Sequence, residues 1–229
     1  MGQYEVTQEL YEAVMGNNPS SFNENPSAGE IQIYRPVDSV NWYQAIAFCN
    51  ELTKKTFGES NCVYYTDDSY TTVYTVANAN ASEMPYFDPS KKGYRLPTEV
   101  EWECAARGGN PNDDSWENNF NLLNDITVDY AWIESNSYNM THQVGKKTSI
   151  NNFYDIAGNV YEWCWDIPIE DSITDMTENP TGSISSSDRT LRGGYWEGDS
   201  ECMYRHSAIP DTTTTKILNT LGFRLCRSL

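Results

Sequence analysis

The run Asp155-Ile156-Ala157-Gly158-Asn159-Val160-Tyr161-Glu162 is the stretch best suited to hold a metal ion. Calcium takes several hard oxygens, carboxylates and backbone carbonyls together, presented from a tight turn. Asp155 and Glu162 supply carboxylates and Gly158 permits the turn. The same residues also suit a capped turn with Glu162 paired to an arginine. Arg192 and Arg224, each beside glycines in strand-like segments, suit buried structural ion pairs. Softer metals have little to build on. The six cysteines (49, 62, 104, 164, 202 and 226) contain no CxxC pair, and His142 and His206 are the two histidines. The cysteines are compatible with a disulfide or two outside the cytosol, or with buried thiols. His206 could serve as a general base. Glu99, Glu101 and Glu103 are neighbouring carboxylates, but a helix-capping role is sufficient for Glu101.

A second kind of chemistry is recognition. The end of the chain opens with Arg192-Gly193-Gly194-Tyr195-Trp196 and closes with Leu221-Gly222-Phe223-Arg224-Leu225. Leu221, Phe223 and Leu225 alternate, the period of a half-buried strand. Glu197 to Thr220 between them shows neither helical nor strand periodicity and reads as a long exposed loop held at both ends. Tyr195 and Tyr204 offer large contact area with few rotatable bonds. Ser, Thr, Asp and His add adaptable hydrogen bonding, which is the composition of antibody-type paratopes. A plain surface loop with a few core-facing residues (Cys202, Ala208, Leu218) is the competing reading. Asparagine is frequent before residue 180, yet from Pro180 to Leu229 only Asn219 remains. Composition alone does not account for that depletion.

The elements that must position these residues are short. Thr7 caps a helix through Met15, with Gly16 as its stop. Ser39 or Asn41 caps a second helix within Val37–Lys55, whose Trp42, Ile46, Cys49 and Leu52 recur at helical spacing. Val63-Tyr64-Tyr65 and Val73-Tyr74-Thr75-Val76 read as hairpin strands around Asp67-Asp68. Thr98 followed by Glu101 is a capping box, so a helix starts there and ends near Gly108-Gly109. No internal repeat and no linker between two cores is evident. The expectation is one loop-rich α+β domain over residues 1–229, with two to three short helices and small antiparallel sheets.

Composition sets outer limits. The chain has 229 residues, with 7 Trp and 16 Tyr to build a core from irregular structure. Its formal net charge of −18 argues against nucleic acid or an anionic membrane surface as a partner, because phosphate would be repelled. No apolar run is long enough to span a bilayer, and no signal peptide is visible. The sequence begins inside an ordered-looking element, Tyr4-Glu5-Val6-Thr7, so an upstream segment carrying a targeting signal or membrane anchor is expected.

Four motifs, Tyr94–Gly109, Tyr154–Asp166, Arg192–Trp196 and Leu221–Arg224, together with the Tyr4–Thr7 opening, resemble the formylglycine-generating-enzyme (sulfatase-modifying factor) family in order and spacing. The resemblance covers nearly the whole chain and implies a variant of the C-type lectin fold. It also implies calcium held by the side chains of Asp155 and Glu162 and the carbonyls of Gly158 and Val160. A second calcium site of some members needs a longer segment than Ile133–Gln143. The family's enzymes oxidise a substrate cysteine with copper held by two cysteines. Those positions fall here on Glu201 and His206, with Cys202 one residue from the first, whereas Cu(I) requires a soft thiolate pair. Iron held by histidines and carboxylates is not supplied by two distant histidines either. Neither copper nor iron, and no oxidase activity, is expected; the fold alone is not evidence of catalysis.

Within this fold the chain is more similar to the variable proteins of diversity-generating retroelements. There, adenines of a template are randomised, asparagine codons are the main targets, and the variable region precedes the Gly-Phe-Arg strand. That would explain the missing asparagines. Randomised AAC cannot yield Trp, Glu, Lys or Met, so Trp196, Glu197, Glu201, Met203 and Lys216 should be fixed or come from other codons. Within a variable region of about 190–224, the expected ligand-binding set is Tyr195, Asp199, Ser200, Tyr204, His206, Ile209, Asp211, Thr212, Thr213, Thr214, Thr215, Ile217 and Asn219. The resemblance implies a non-enzymatic, extracytoplasmic protein shown at the cell surface, in one form as a lipoprotein, binding a protein or other surface ligand. A metal-dependent oxidase and a calcium-stabilised scaffold without a ligand are the alternatives.

Overall fold

The computed structural model describes residues 1–109, 128–167, 188–198, 206–208 and 218–228, and of 206–208 the backbone alone. Its helices begin where local side chains can satisfy the first free N–H groups. Thr7 accepts from Leu10 N at the start of α1 (Gln8–Met15), and Gly16 closes it at φ 81°. For α2 (Trp42–Phe57) the cap is Asn41, not Ser39: Asn41 and Gln44 exchange side-chain and backbone hydrogen bonds at 2.9 and 3.0 Å. The first half of α2 is buried nearly all round, from Trp42 and Tyr43 through Ala45–Asn50, so it is a core helix. The Thr98–Glu101 box opens α4 (Glu99–Ala106) as its spacing requires.

The expected hairpin is only partly formed. Val73 makes a single bridge to Tyr65 across a turn that Asp67 ties by accepting from the N–H groups of Ser69, Thr71 and Thr72. Val76 instead opens a short helix, α3 (Val76–Asn80), and β1 (Tyr64–Tyr65) pairs antiparallel with β2 (Tyr86–Phe87). Asn50 on α2 braces both segments. Its Nδ2 donates to the carbonyls of Tyr64 and Tyr74, and its Oδ1 accepts from Val63 and Tyr64 N. The buried amide thus adds to the backbone hydrogen bonds between the two segments, from Tyr74 N to Tyr64 O and from Thr66 N to Thr72 O.

Two further sheets bring the ends of the chain to its middle. β3 (Tyr94–Arg95) pairs antiparallel with β8 (Cys226–Arg227). The larger sheet joins β4 (Tyr161–Trp163), β5 (Arg189–Arg192), β6 (His206–Ala208) and β7 (Leu221–Gly222) in the order β6-β5-β4-β7. β5 runs antiparallel to β4, and β7 runs parallel to it. The start of the chain lies along its end: Val6 N donates to Phe223 O at 2.9 Å and Gly2 N to Leu225 O at 2.8 Å. The core holds Trp42, Phe48, Tyr64, Leu96, Trp163 and Phe223, all fully buried. The two central indoles are satisfied across it, Trp42 Nε1 on Cys164 O and Trp163 Nε1 on Val40 O. A smaller cluster forms around Trp102, Ile133 and Ile156.

Candidate functional site

Gly193 and Gly194, at φ 90° and 72°, turn the chain out of β5. Tyr195 follows, and its ring stacks on that of Tyr161 in β4, with centroids 4.9 Å apart and planes at 30°. Trp196 lies edge-on to Tyr195 and to Phe22 and is 7% exposed. Its indole donates to Asn219 O at 3.2 Å and its backbone N–H to Asn159 O. Gly198 closes the turn onto Tyr195 O, and Glu134 N–H reaches Gly198 O. On the returning side Tyr161 N–H donates to Thr220 O at 2.7 Å.

The two ends of the expected variable stretch, Tyr195 and Asn219, are therefore brought together over β4 by fixed contacts through Trp196 and Tyr161. Of the remaining expected ligand-binding residues, His206 is described in backbone alone, paired with Leu191 in β6. The reading of Glu197–Thr220 as one unpaired loop is corrected there. A three-residue strand too short to show periodicity is held by its partner β5 rather than by its own pattern. Asp199, Ser200, Tyr204, Ile209, Asp211, Thr212, Thr213, Thr214, Thr215 and Ile217 lie outside the described residues. So do Glu201, where the first cysteine of the copper pair would fall, and Cys202 beside it. The other five cysteines are free thiols, and burial pushes Cys62 up to about 11.

Beneath this face lie the four residues expected to hold calcium. Asp155 sits at φ 51° and is buried; its Oδ2 accepts from Gly145 N at 2.6 Å, and its Oδ1 has no hydrogen-bond partner. Burial raises its pKa to about 6, with Glu162 adding to the rise against the Gly145 hydrogen bond and Arg224. Gly158 packs its Cα against the backbone of Trp132, where a Cβ would overlap the carbonyl. Glu162 does not point into an open cradle. Its carboxylate accepts from Arg224 Nη2 at 2.7 Å, from Arg224 Nε at 3.0 and 3.1 Å, and from Trp102 Nε1 at 2.7 Å. Both partners of the ion pair are completely buried.

Of the two carboxylates expected to hold calcium, that of Glu162 is taken up by N–H donors, whereas Asp155 keeps one oxygen without a hydrogen-bond partner. Among the described residues no three His, Cys, Asp or Glu side chains form a metal-holding group. The arginine-paired turn is the arrangement present. Sequence reasoning missed Glu5, which joins from the N-terminal segment and accepts from Asn159 Nδ2 and Val160 N. Burial, then Asp155 and Glu162, push its carboxyl well above the usual range. No local signal marks Glu5, since its partners lie about 155 positions away. Arg192 also pairs structurally, with Glu103, and stacks over Trp102 at 4.8 Å.

Comparison with known proteins gives a consistent result. The Sulfatase-modifying factor enzyme 1-like domain matches residues 1–229. Treponema denticola variable protein 1 is similar in structure, with a TM-score of 0.76 and 41% identity, covering 98% of this chain and 84% of that one. The chaperone protein LppX of Paenibacillus barcinonensis is 39% identical over 183 residues, which is 72% of this chain and 61% of that relative. The formylglycine-generating enzyme of Streptomyces coelicolor is 33% identical over 159 residues, 58% of this chain and 46% of the enzyme. The chain thus spans less than two thirds of the length of these two sequence relatives.

Proposed function

The chain belongs to the sulfatase-modifying factor family, with its C-type-lectin-like α+β fold, and we propose that it is a non-enzymatic ligand-binding protein whose C-terminal face is diversified. The observation that supports this most is the 41% identity to Treponema denticola variable protein 1 over 98% of the chain. The layout of the face agrees with it. A segment many of whose residues fit randomised asparagine codons leaves and rejoins the sheet on either side of β4, tied down by Trp196 and Asn219. Change along the segment leaves those ties and the core beneath them in place. The ligand in this reading is a protein or another surface molecule. In this reading the protein stands outside the cytoplasm, as the similarity to the chaperone protein LppX supports; among the described residues no helix is long and apolar enough to cross a membrane.

Sequencing the last coding segment from many cells of one population tests this directly. Variation should concentrate at codons for residues such as Tyr195, Asp199, Tyr204 and Ile209 and spare Trp196, Glu197 and Lys216. A near-copy of the segment with AAC at the varying codons should lie beside a reverse transcriptase gene. An invariant segment with no such copy would reject the diversified reading. For binding itself, a biotinylated surface-protein fraction that adheres to the wild-type protein should fail to adhere when Tyr195, Tyr204 and Ile209 are changed together to Ala, with the far-ultraviolet circular dichroism unchanged. An oxidase would instead consume oxygen on a cysteine peptide after reconstitution with copper.

A further inference from the structure

The Arg224 guanidinium is enclosed by oxygens of the kinds that calcium takes. Besides the Glu162 carboxylate, it donates from Nη1 to Gly2 O at 3.1 Å and from Nη2 to Tyr154 O at 2.9 Å and Asp155 O at 3.3 Å. One carboxylate and three backbone carbonyls, from the N-terminal segment, the 154–155 turn and β4, thus meet on one side chain. Asp155 also carries a buried carboxylate oxygen without a hydrogen-bond partner, and Glu5 accepts from Asn159 Nδ2 and Val160 N. An arrangement so rich in acceptors requires a cation, and the cation present is covalently part of the chain.

We propose that Arg224 is the resident cation of this cage, so that the fold closes without calcium, and that removing the guanidinium turns the same oxygens into a calcium site. The reasoning is steric and electrostatic together. A calcium ion drawing on Glu162 would stand against the guanidinium that already donates to both Glu162 oxygens. Two buried cations sharing one carboxylate repel strongly where the dielectric is low. Without the guanidinium, the Glu162 carboxylate and the carbonyls of Gly2, Tyr154 and Asp155 lose the cation they share.

Thermal unfolding of the wild-type chain and of Arg224→Ala, each in EGTA, in calcium chloride and in magnesium chloride, tests the proposal. The magnesium arm separates a specific site from general screening of the −18 net charge. A calcium ion bound from a hundredfold excess over its Kd raises the Tm of a chain of this size by about 5–10 °C. The wild type should show no calcium-specific rise, and Arg224→Ala should melt lower in EGTA and recover with calcium. Terbium emission excited through Trp102, which touches Glu162, should be stronger in Arg224→Ala than in the wild type. A calcium-specific rise in the wild-type Tm overturns the proposal. So does an Arg224→Ala protein that remains unfolded and dark whether or not calcium or terbium is present.

Discussion

The ring of Tyr195, the first residue of the stretch proposed to be diversified, rests on the ring of Tyr161 in the inner strand β4. Under that proposal a changeable side chain is supported by a fixed one. If the proposed binding function holds, Tyr161→Ala should weaken adherence of a partner recovered from the biotinylated surface fraction by about two- to tenfold, the worth of one stacked aromatic pair. Tyr161→Phe keeps the ring and should leave the affinity nearly intact. Biolayer interferometry on the two variants checks the contrast.

Asn50 should be among the polar residues the fold tolerates losing least. Its amide bonds four buried backbone groups in two segments, 63–64 and 74. Asn50→Ala should lower the unfolding free energy by about 3–5 kcal/mol in urea titration, since the groups left behind are cut off from water. Asn50→Asp should not rescue it, because an ionised carboxylate cannot donate to the Tyr64 and Tyr74 carbonyls.

Gly222 should be equally intolerant for a different reason. A Cβ there would lie 2.6 Å from Val37 O and 2.8 Å from Val160 Cγ2. Gly222→Ala must push β7 away from β4 or displace residues 36–37, at a cost of about 2–4 kcal/mol. A variant with an unchanged denaturation midpoint would show that the two strands are not packed this closely.

Asp166 gives stability a pH dependence with a definite sign. Burial raises its pKa from 3.8 to about 7, with Glu99 and Glu101 adding to the rise against the hydrogen bond from Glu99 N. The folded state therefore holds this proton more tightly than the unfolded chain does. Its stabilising contribution is complete below about pH 4 and is lost as pH rises through about 7. Asp166→Asn keeps an acceptor for Glu99 N and has no charge to lose. It should be more stable than the wild type near pH 8, with the gap closing towards pH 4 in chemical denaturation. A gap that does not change with pH would contradict this assignment.

What the sequence makes legible is what neighbouring residues decide. The caps at Thr7, Asn41 and Thr98 lie within three or four residues of the groups they satisfy, and so do the stops at Gly16 and Gly108–Gly109. Strand pairing is another matter. Val73–Val76 has the composition of a strand, but only Val73 bridges Tyr65, Val76 opens α3, and β1 takes the distant Tyr86–Phe87 as its strand partner. Residues 206–208 have no pattern of their own and become a strand because β5 offers an edge. At the buried cage the sequence allowed either a metal or an arginine for Glu162. The choice rests on Arg224, 62 residues further on, and on Trp102, 60 residues before. The aromatic support of Tyr195 was illegible for the same reason, since Tyr161 is its neighbour only once β4 and β5 are paired.

The route from β6 to β7 has a practical corollary. Those two strands are the opposite borders of a four-stranded sheet, so the two ends they fix for the segment between them stand about 14 Å apart at ordinary interstrand spacing. A bridge pinned at two distant piers accepts a new deck more readily than a tight hairpin does, because lengthening it shifts neither pier. Foreign peptides spliced in between residues 209 and 217 should thus ride on this protein as cargo, which recommends it as a chassis for displayed libraries.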